Sequence, residues 1–201
     1  MELIETITTR RSIRRFKEDP VSDDMIHELL EAARLAPSGS NIQPWRFIIL
    51  KSPESREKLR AVTPYHFIVR APVVFVCCAD ITAFKTRPER ITELRQSGAF
   101  NHVEMNNPED GRYGPRPAEP GDLKARLVQN VAIAVEHIVL RAVDLGLGTC
   151  WIGRFNEEKV KEVLDLDENI YVFKLLPVGY PDGIPGPRPR LPLEKLVLKT
   201  L

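Results

Sequence analysis

The stretch Arg10-Arg11-Ser12-Ile13-Arg14-Arg15 sets four guanidinium groups and a hydroxyl within six residues, and Arg188-Pro189-Arg190 repeats the theme near the other end of the chain. Guanidinium forks and a serine hydroxyl suit a dianion that needs several donors at once. If the first cluster continued a helix, its like charges at i,i+4 would cost roughly 0.2–0.5 kcal/mol per pair, so something negative has to offset them. Carboxylates at the protein surface are one answer and a bound phosphate is the other. Proline-fixed backbone between alternate arginines reads as a clamp, which favours the phosphate.

No ordinary nucleotide cradle accompanies these arginines. There is no GxxxxGK[ST], and no GxGxxG lies between a strand and a helix; the glycines of "GLGTCWIG" precede a strand instead. A phosphorylated ligand would therefore be held by arginines from both ends of the chain, with "SGSN" and "TCWIG" offering further donors. In the loop Pro37 to Gln43, Ser38 and Ser40 supply hydroxyls, and Asn41 and Gln43 supply paired donors and acceptors. The same residues also fit an ordinary Ser/Asn turn. Cys150 is open to two readings, a redox thiol or a small buried wall residue. The four histidines have no metal-ligand spacing, and a lone His66 reads as structural.

Composition narrows the class. At 201 residues and 43% hydrophobic, the chain can bury the core of one domain. With 29 Lys+Arg against 28 Asp+Glu the net charge is +1, giving no overall field for nucleic acid or an anionic membrane. The arginine clusters are local devices. No charge-free apolar run reaches the ~20 residues of a membrane span, and "MELIETITTR" lacks a signal-peptide apolar region, so a cytoplasmic location is expected. Cys77 and Cys78 sit side by side in an apparent strand and face opposite ways; with Cys150 they read as reduced, buried thiols.

The elements that must position these groups alternate along the chain. "ELIETITT" reads as a short helix, and Ser22 with Asp23 and Asp24 caps a second, whose stripe is Met25, Ile26, Leu29, Leu30 and Ala33, up to Pro37. "WRFIILK" is a strand, a helix opens near Pro53, and the β-branched run Val73 to Ala79 is sheet interior. The segment from about Phe84 to Asp122, rich in Pro, Gly, Arg, Asn and Glu, reads as a long loop of the kind that forms lids. Leu123 to Leu145 is a helix apolar nearly all round, which must be buried on several sides. "TCWIGRF" is read as a strand, Asn156 caps a helix, and "YVFKLLPVGY" is the last strand. The tail from Pro181 has five prolines in twelve residues and must run extended along a surface.

Taken together, "TRRSIRRF", "EAARLAPSGSNIQPWRFIIL", "GLGTCWIG" and "PVGYPDGIPGPRPRLPLEKLV", in that order, resemble the FMN-dependent nitroreductase family over nearly the whole chain, least in the stretch from Phe84 to Asp122. The resemblance implies an α+β fold of three layers, with a mixed, mostly antiparallel sheet flanked by helices. It implies an intertwined homodimer of single-domain subunits (1–201), with 84–122 as a lid insertion and 181–201 as an arm wrapping the partner. It further implies that Arg10, Arg11, Ser12 and Arg14 hold the ribityl phosphate and the flavin's pyrimidine edge, with Arg188 and Arg190 completing the phosphate site. Arg15 is left for a surface ion pair.

The loop residues Pro37, Ser38, Ser40, Asn41 and Gln43 would reach the flavin across the dimer, while Trp45 packs in the core. Cys150, Trp151, Ile152 and Gly153 would lie behind the ring, with the N–H of Ile152 or Gly153 near flavin N5. Phe100, Arg112 and Tyr113 would meet substrate from the lid. The implied chemistry is hydride passage from NADH or NADPH through flavin N5 to an electron-poor acceptor such as a nitroaromatic or quinone, in ping-pong fashion and without a catalytic side chain or metal. Reductive dehalogenation, flavin degradation or non-catalytic flavin binding are the alternatives within reach of the same motifs.

Overall fold

The computed structural model describes residues 1–101 and 122–201. Among these described residues six α-helices, α1 (Leu3–Thr9), α2 (Asp23–Arg34), α3 (Pro53–Glu57), α4 (Arg87–Gln96), α5 (Asp122–Asp144) and α6 (Glu157–Leu164), surround four strands, β1 (Trp45–Leu50), β2 (Val73–Asp80), β3 (Gly148–Thr149) and β4 (Ile170–Gly179). The sheet order is β1-β2-β4-β3 and every ladder is antiparallel. A single parallel bridge, Ser12 to Thr149, supplies the mixed element among the described residues.

β2 shows why the sheet is a middle layer. Its alternate residues Val73, Phe75, Cys77 and Ala79 enter one apolar cluster, with Ile26, Leu29 and Ala33 of α2 and Leu127, Val131, Val135 and Ile138 of α5. Val74, Val76 and Cys78 enter a second, with Leu59, Ile68 and Val160 of the opposite helical layer. Cys77 and Cys78 do face opposite ways, and all three thiols are free and buried. A bulge between Cys77 and Cys78 shifts the register against β4 by one residue. Trp45 is core, as its sequence context indicated.

The helix ends follow their caps. Ser22 accepts from the Met25 N–H at the start of α2 and Asn156 accepts from Lys159 N–H at the start of α6. α1 stops at Thr9, and Arg10 takes up an extended conformation, so the arginines do not stack as like-charged helix pairs. Two expectations need correction. The stretch from Phe84 is not simply loop, because α4 occupies Arg87–Gln96; that helix buries none of its residues, so no apolar stripe marks it in the sequence. "TCWIGRF" is not a continuous strand either: after Gly148–Thr149 it contributes only the isolated bridge Ile152 to Leu175.

The tail from Asp182 to Leu201 is exposed throughout and extended apart from a 3-10 turn at Leu193–Lys195. Its Leu191, Leu193, Leu196, Val197 and Leu198, with Leu3, Ile4 and Ile7 of α1, leave an unusual amount of large apolar side chain in solvent for one chain. No helix among the described residues is long and apolar enough to cross a membrane.

Candidate functional site

Beyond α1 the chain runs extended into the Ser12–Thr149 bridge, reinforced by the Ile13 N–H donating to Thr149 O at 2.8 Å. In an extended course residues 10, 12 and 14 share one side and residue 13 the other. Ile13 is accordingly buried against Gly148, where any Cβ would lie 2.4 Å from Ile13 Cγ1. Arg10, Ser12 and Arg14 are thereby turned into a cleft of about 450 Å³, which Arg11 also lines. The opposite wall is Pro185 to Arg188 and Arg190, so the two arginine clusters, far apart in sequence, meet in one place. No carboxylate lines the cleft among the described residues. Arg15 turns away to an exposed ion pair with Asp182 at 2.7 Å, the surface role expected of it.

Arg11 is distinct from its neighbours. Its Nη1 donates to the carbonyls of Thr8 and Arg10, at 2.7 and 2.9 Å, while its Nε is buried with no partner among the described residues. Such an orphan donor beside an arginine cluster is a place for an acceptor from a ligand.

The Cys150 thiol lies within the field of Arg14, Arg188 and Arg10, yet burial outweighs those charges and raises its pKa. It stays a neutral thiol, which fits a wall residue and not a nucleophile. Ile152 and Gly153 are not equivalent. The Ile152 N–H is taken up by Leu175 O at 2.9 Å, whereas the exposed Gly153 N–H has no partner among the described residues. Trp151 packs edge-on to Phe173. On α5, burial pushes the Glu136 carboxyl above the usual glutamate range, against the opposing influence of Arg10, the Trp151 side chain and His137.

The loop after α2 forms a separate cleft of about 360 Å³, lined by Pro37, Ser38, Gly39, Ser40 and Ile42 together with Phe84, Arg87, Arg126, Gln129, Asn130 and Ile133. Within one chain the structure does not bring this loop to the arginine cleft. The loop is strained: Ser40, Asn41 and Gln43 all adopt positive φ, at 53°, 53° and 44°. Ser38 Oγ accepts from the Gln43 N–H at 3.0 Å and Asn130 Oδ1 accepts from the Gly39 N–H at 2.9 Å, holding the loop in that shape. Three non-glycine residues forced into the left-handed region mark a loop built for a purpose other than stability. Asn130 and Arg87 were not legible as site residues, the first because it lies in an apolar helix, the second because its helix carries no periodic signal. Of the lid residues, Phe100 is half-buried and does not line this cleft; Arg112 and Tyr113 lie outside the described residues.

Comparison with known proteins places this geometry. The model of the Nitroreductase family matches residues 7–71 and 111–180. An NADH dehydrogenase of Thermus thermophilus is 31% identical over 190 residues, spanning 94% of this chain and 91% of that protein. An FMN reductase [NAD(P)H] of Bacillus subtilis is 29% identical over 196 residues, 96% of this chain and 71% of that one. A nitroreductase-type structure from Exiguobacterium sibiricum, solved in complex with FMN, superposes with a TM-score of 0.80 at 22% identity, covering 100% of this chain and 98% of its own. The chain therefore belongs to the nitroreductase family.

Proposed function

We propose that the protein is a homodimeric, FMN-dependent oxidoreductase that takes hydride from NADH or NADPH and delivers it to an electron-poor small molecule such as a nitroaromatic or quinone. The observation that carries this reading is the convergence of Arg10, Arg14, Arg188 and Arg190 with Ser12 on one cleft whose described lining residues include no carboxylate. That donor set fits a terminal phosphate dianion, and the names of the relatives are consistent with it.

In this account Arg10, Ser12, Arg14, Arg188 and Arg190 hold the phosphate, and the buried Arg11 Nε serves an acceptor beside it. Gly153 presents the N–H behind the ring, Cys150 and Trp151 pack the wall, and Pro37, Ser38, Ser40, Asn41 and Gln43 come from the partner subunit. Bound there, FMN would supply the hydride chemistry, accepting from the nicotinamide and donating to the acceptor in turn. The protein's part is to place the two reactants, fix the phosphate and exclude water. The exposed apolar side chains of α1 and of the tail support pairing of subunits, with the tail as the arm.

The direct test is anaerobic addition of NADPH or NADH to the FMN-loaded protein while the flavin absorbance is followed. Bleaching, followed by recovery of the oxidised spectrum on adding a quinone, supports the proposal. A flavin that binds and is never reduced identifies a flavin carrier instead.

A further inference from the structure

Lys174 is the one charged residue of β4; from Val172 to Gly179 its strand neighbours are all buried, and Lys174 itself is half-buried. A charge within a sheet is costly unless something meets it. The bulge in this ladder sets its course: Cys77 pairs with Lys174 and Cys78 with Val172, which leaves Phe173 unmatched beside it. The Lys174 ammonium lies 4.8 Å from the centroid of the Phe173 ring, and so close to Gly153 that a Cβ there would fall 2.7 Å from Nζ. Lys51, Lys124 and Lys161 each reach a carboxylate, that of Asp23 or Glu157. Lys174 has no carboxylate partner among the described residues, and the Gly153 N–H beside it has no acceptor among them. Two neighbouring donors, one of them charged, suit an atom that gains negative charge.

We propose that Lys174 is a cofactor-tuning residue: with the Gly153 N–H it forms a two-donor edge that binds reduced FMN more tightly than oxidised FMN and so raises the reduction potential. Hydride brings two electrons and one proton, so the transfer adds one negative charge, and a fixed ammonium beside the ring meets it. The arginines of the phosphate cleft face a charge that is the same in both redox states; Lys174 faces the one that changes. The Phe173 ring holds the ammonium without neutralising it, as a carboxylate would. This assignment rests on the reading of the protein as an FMN oxidoreductase with Gly153 behind the ring.

Spectroelectrochemical titration of the FMN-loaded protein, together with binding titration of oxidised FMN, tests it. Lys174→Met, whose unbranched side chain suits an apolar strand, should bind oxidised FMN as the parent does and lose about tenfold in affinity for reduced FMN, a fall of about 30 mV in the two-electron potential. Lys174→Arg, which keeps the charge, should recover most of the loss. Lys174→Gln, which keeps a polar end without the charge, should fall with the methionine variant. A potential equal to the parent's in either neutral variant would overturn the assignment, as would an equal loss of affinity for both redox states, the mark of a purely structural lysine. Because an electrode supplies the electrons, absence of reduction by NADH or NADPH would count against the proposed activity alone, whereas failure of the parent to hold FMN would overturn the flavin reading and this assignment together.

Discussion

Asn130, inside the apolar helix α5, accepts a hydrogen bond from the backbone N–H of Gly39, 91 residues earlier, at 2.9 Å, while its own amide donates to Arg126 O at 2.8 Å. A buried amide thus ties the strained loop to the long helix. Replacing it by leucine should leave the Gly39 N–H unpaired, costing about 1–3 kcal/mol in denaturant unfolding. Asn130→Asp, which keeps the acceptor, should lose less. Equal losses in both variants would show that the bond to Gly39 is not what holds the loop.

Gly148 is required by close approach and not by its backbone angles. A Cβ would fall 2.4 Å from Ile13 Cγ1 and 2.8 Å from Ile13 Cβ. Since Ile13 anchors the extended segment that presents Arg10, Ser12 and Arg14, Gly148→Ala should destabilise the fold by about 1–3 kcal/mol and weaken FMN binding together. Equilibrium unfolding and flavin titration of the same variant check this.

Burial pushes the Cys78 thiol up to about 12, raises Cys77 well above its ordinary range, and raises Cys150 as well. The native protein should therefore show no fast-reacting thiol toward a disulfide reagent at neutral pH, and all three should react after denaturation. Cys150→Ser should keep flavin reduction within about tenfold of the parent, a barrier change of ~1.4 kcal/mol.

Much of the scaffold was legible where burial leaves a periodic trace. Ser22, Asp23 and Asp24 ahead of the Ile26, Leu29 and Ala33 stripe announced α2, and the unbroken Val73–Ala79 run announced a strand covered on both faces. α4 was not legible because its stability does not come from an apolar stripe, and "TCWIGRF" misled because only its Thr149 lies in a strand and, of its apolar residues, only Ile152 adds an isolated bridge. In the candidate site, charge density revealed Arg10 to Arg14 and Arg188 to Arg190, but only tertiary structure shows that they share a cleft. Hydrogen bonding to Leu175 occupies the Ile152 N–H and leaves that of Gly153 without a partner among the described residues, and no sequence feature distinguishes the two.

The Glu136 carboxyl, raised by burial, holds its proton more tightly in the native state than in the unfolded chain. Stability must then fall as pH rises through the interval between the two pKa values, and the penalty is complete above the native one. Glu136→Gln, which keeps the shape and removes the ionisable group, should stabilise the protein at about pH 7, and the gain should shrink toward about pH 4. A gain independent of pH would assign the effect to packing.

The central claim is that two distant arginine clusters form one phosphate site, and the relative affinity for FMN and riboflavin tests it most directly. The two ligands differ only in the terminal phosphate. Each charge-assisted bond contributes roughly 1.5–3 kcal/mol, so FMN should bind at least about a hundredfold more tightly. Arg14→Ala and Arg188→Ala should each erode that difference while leaving riboflavin affinity nearly unchanged. Equal dissociation constants for FMN and riboflavin in the unmodified protein would contradict the account.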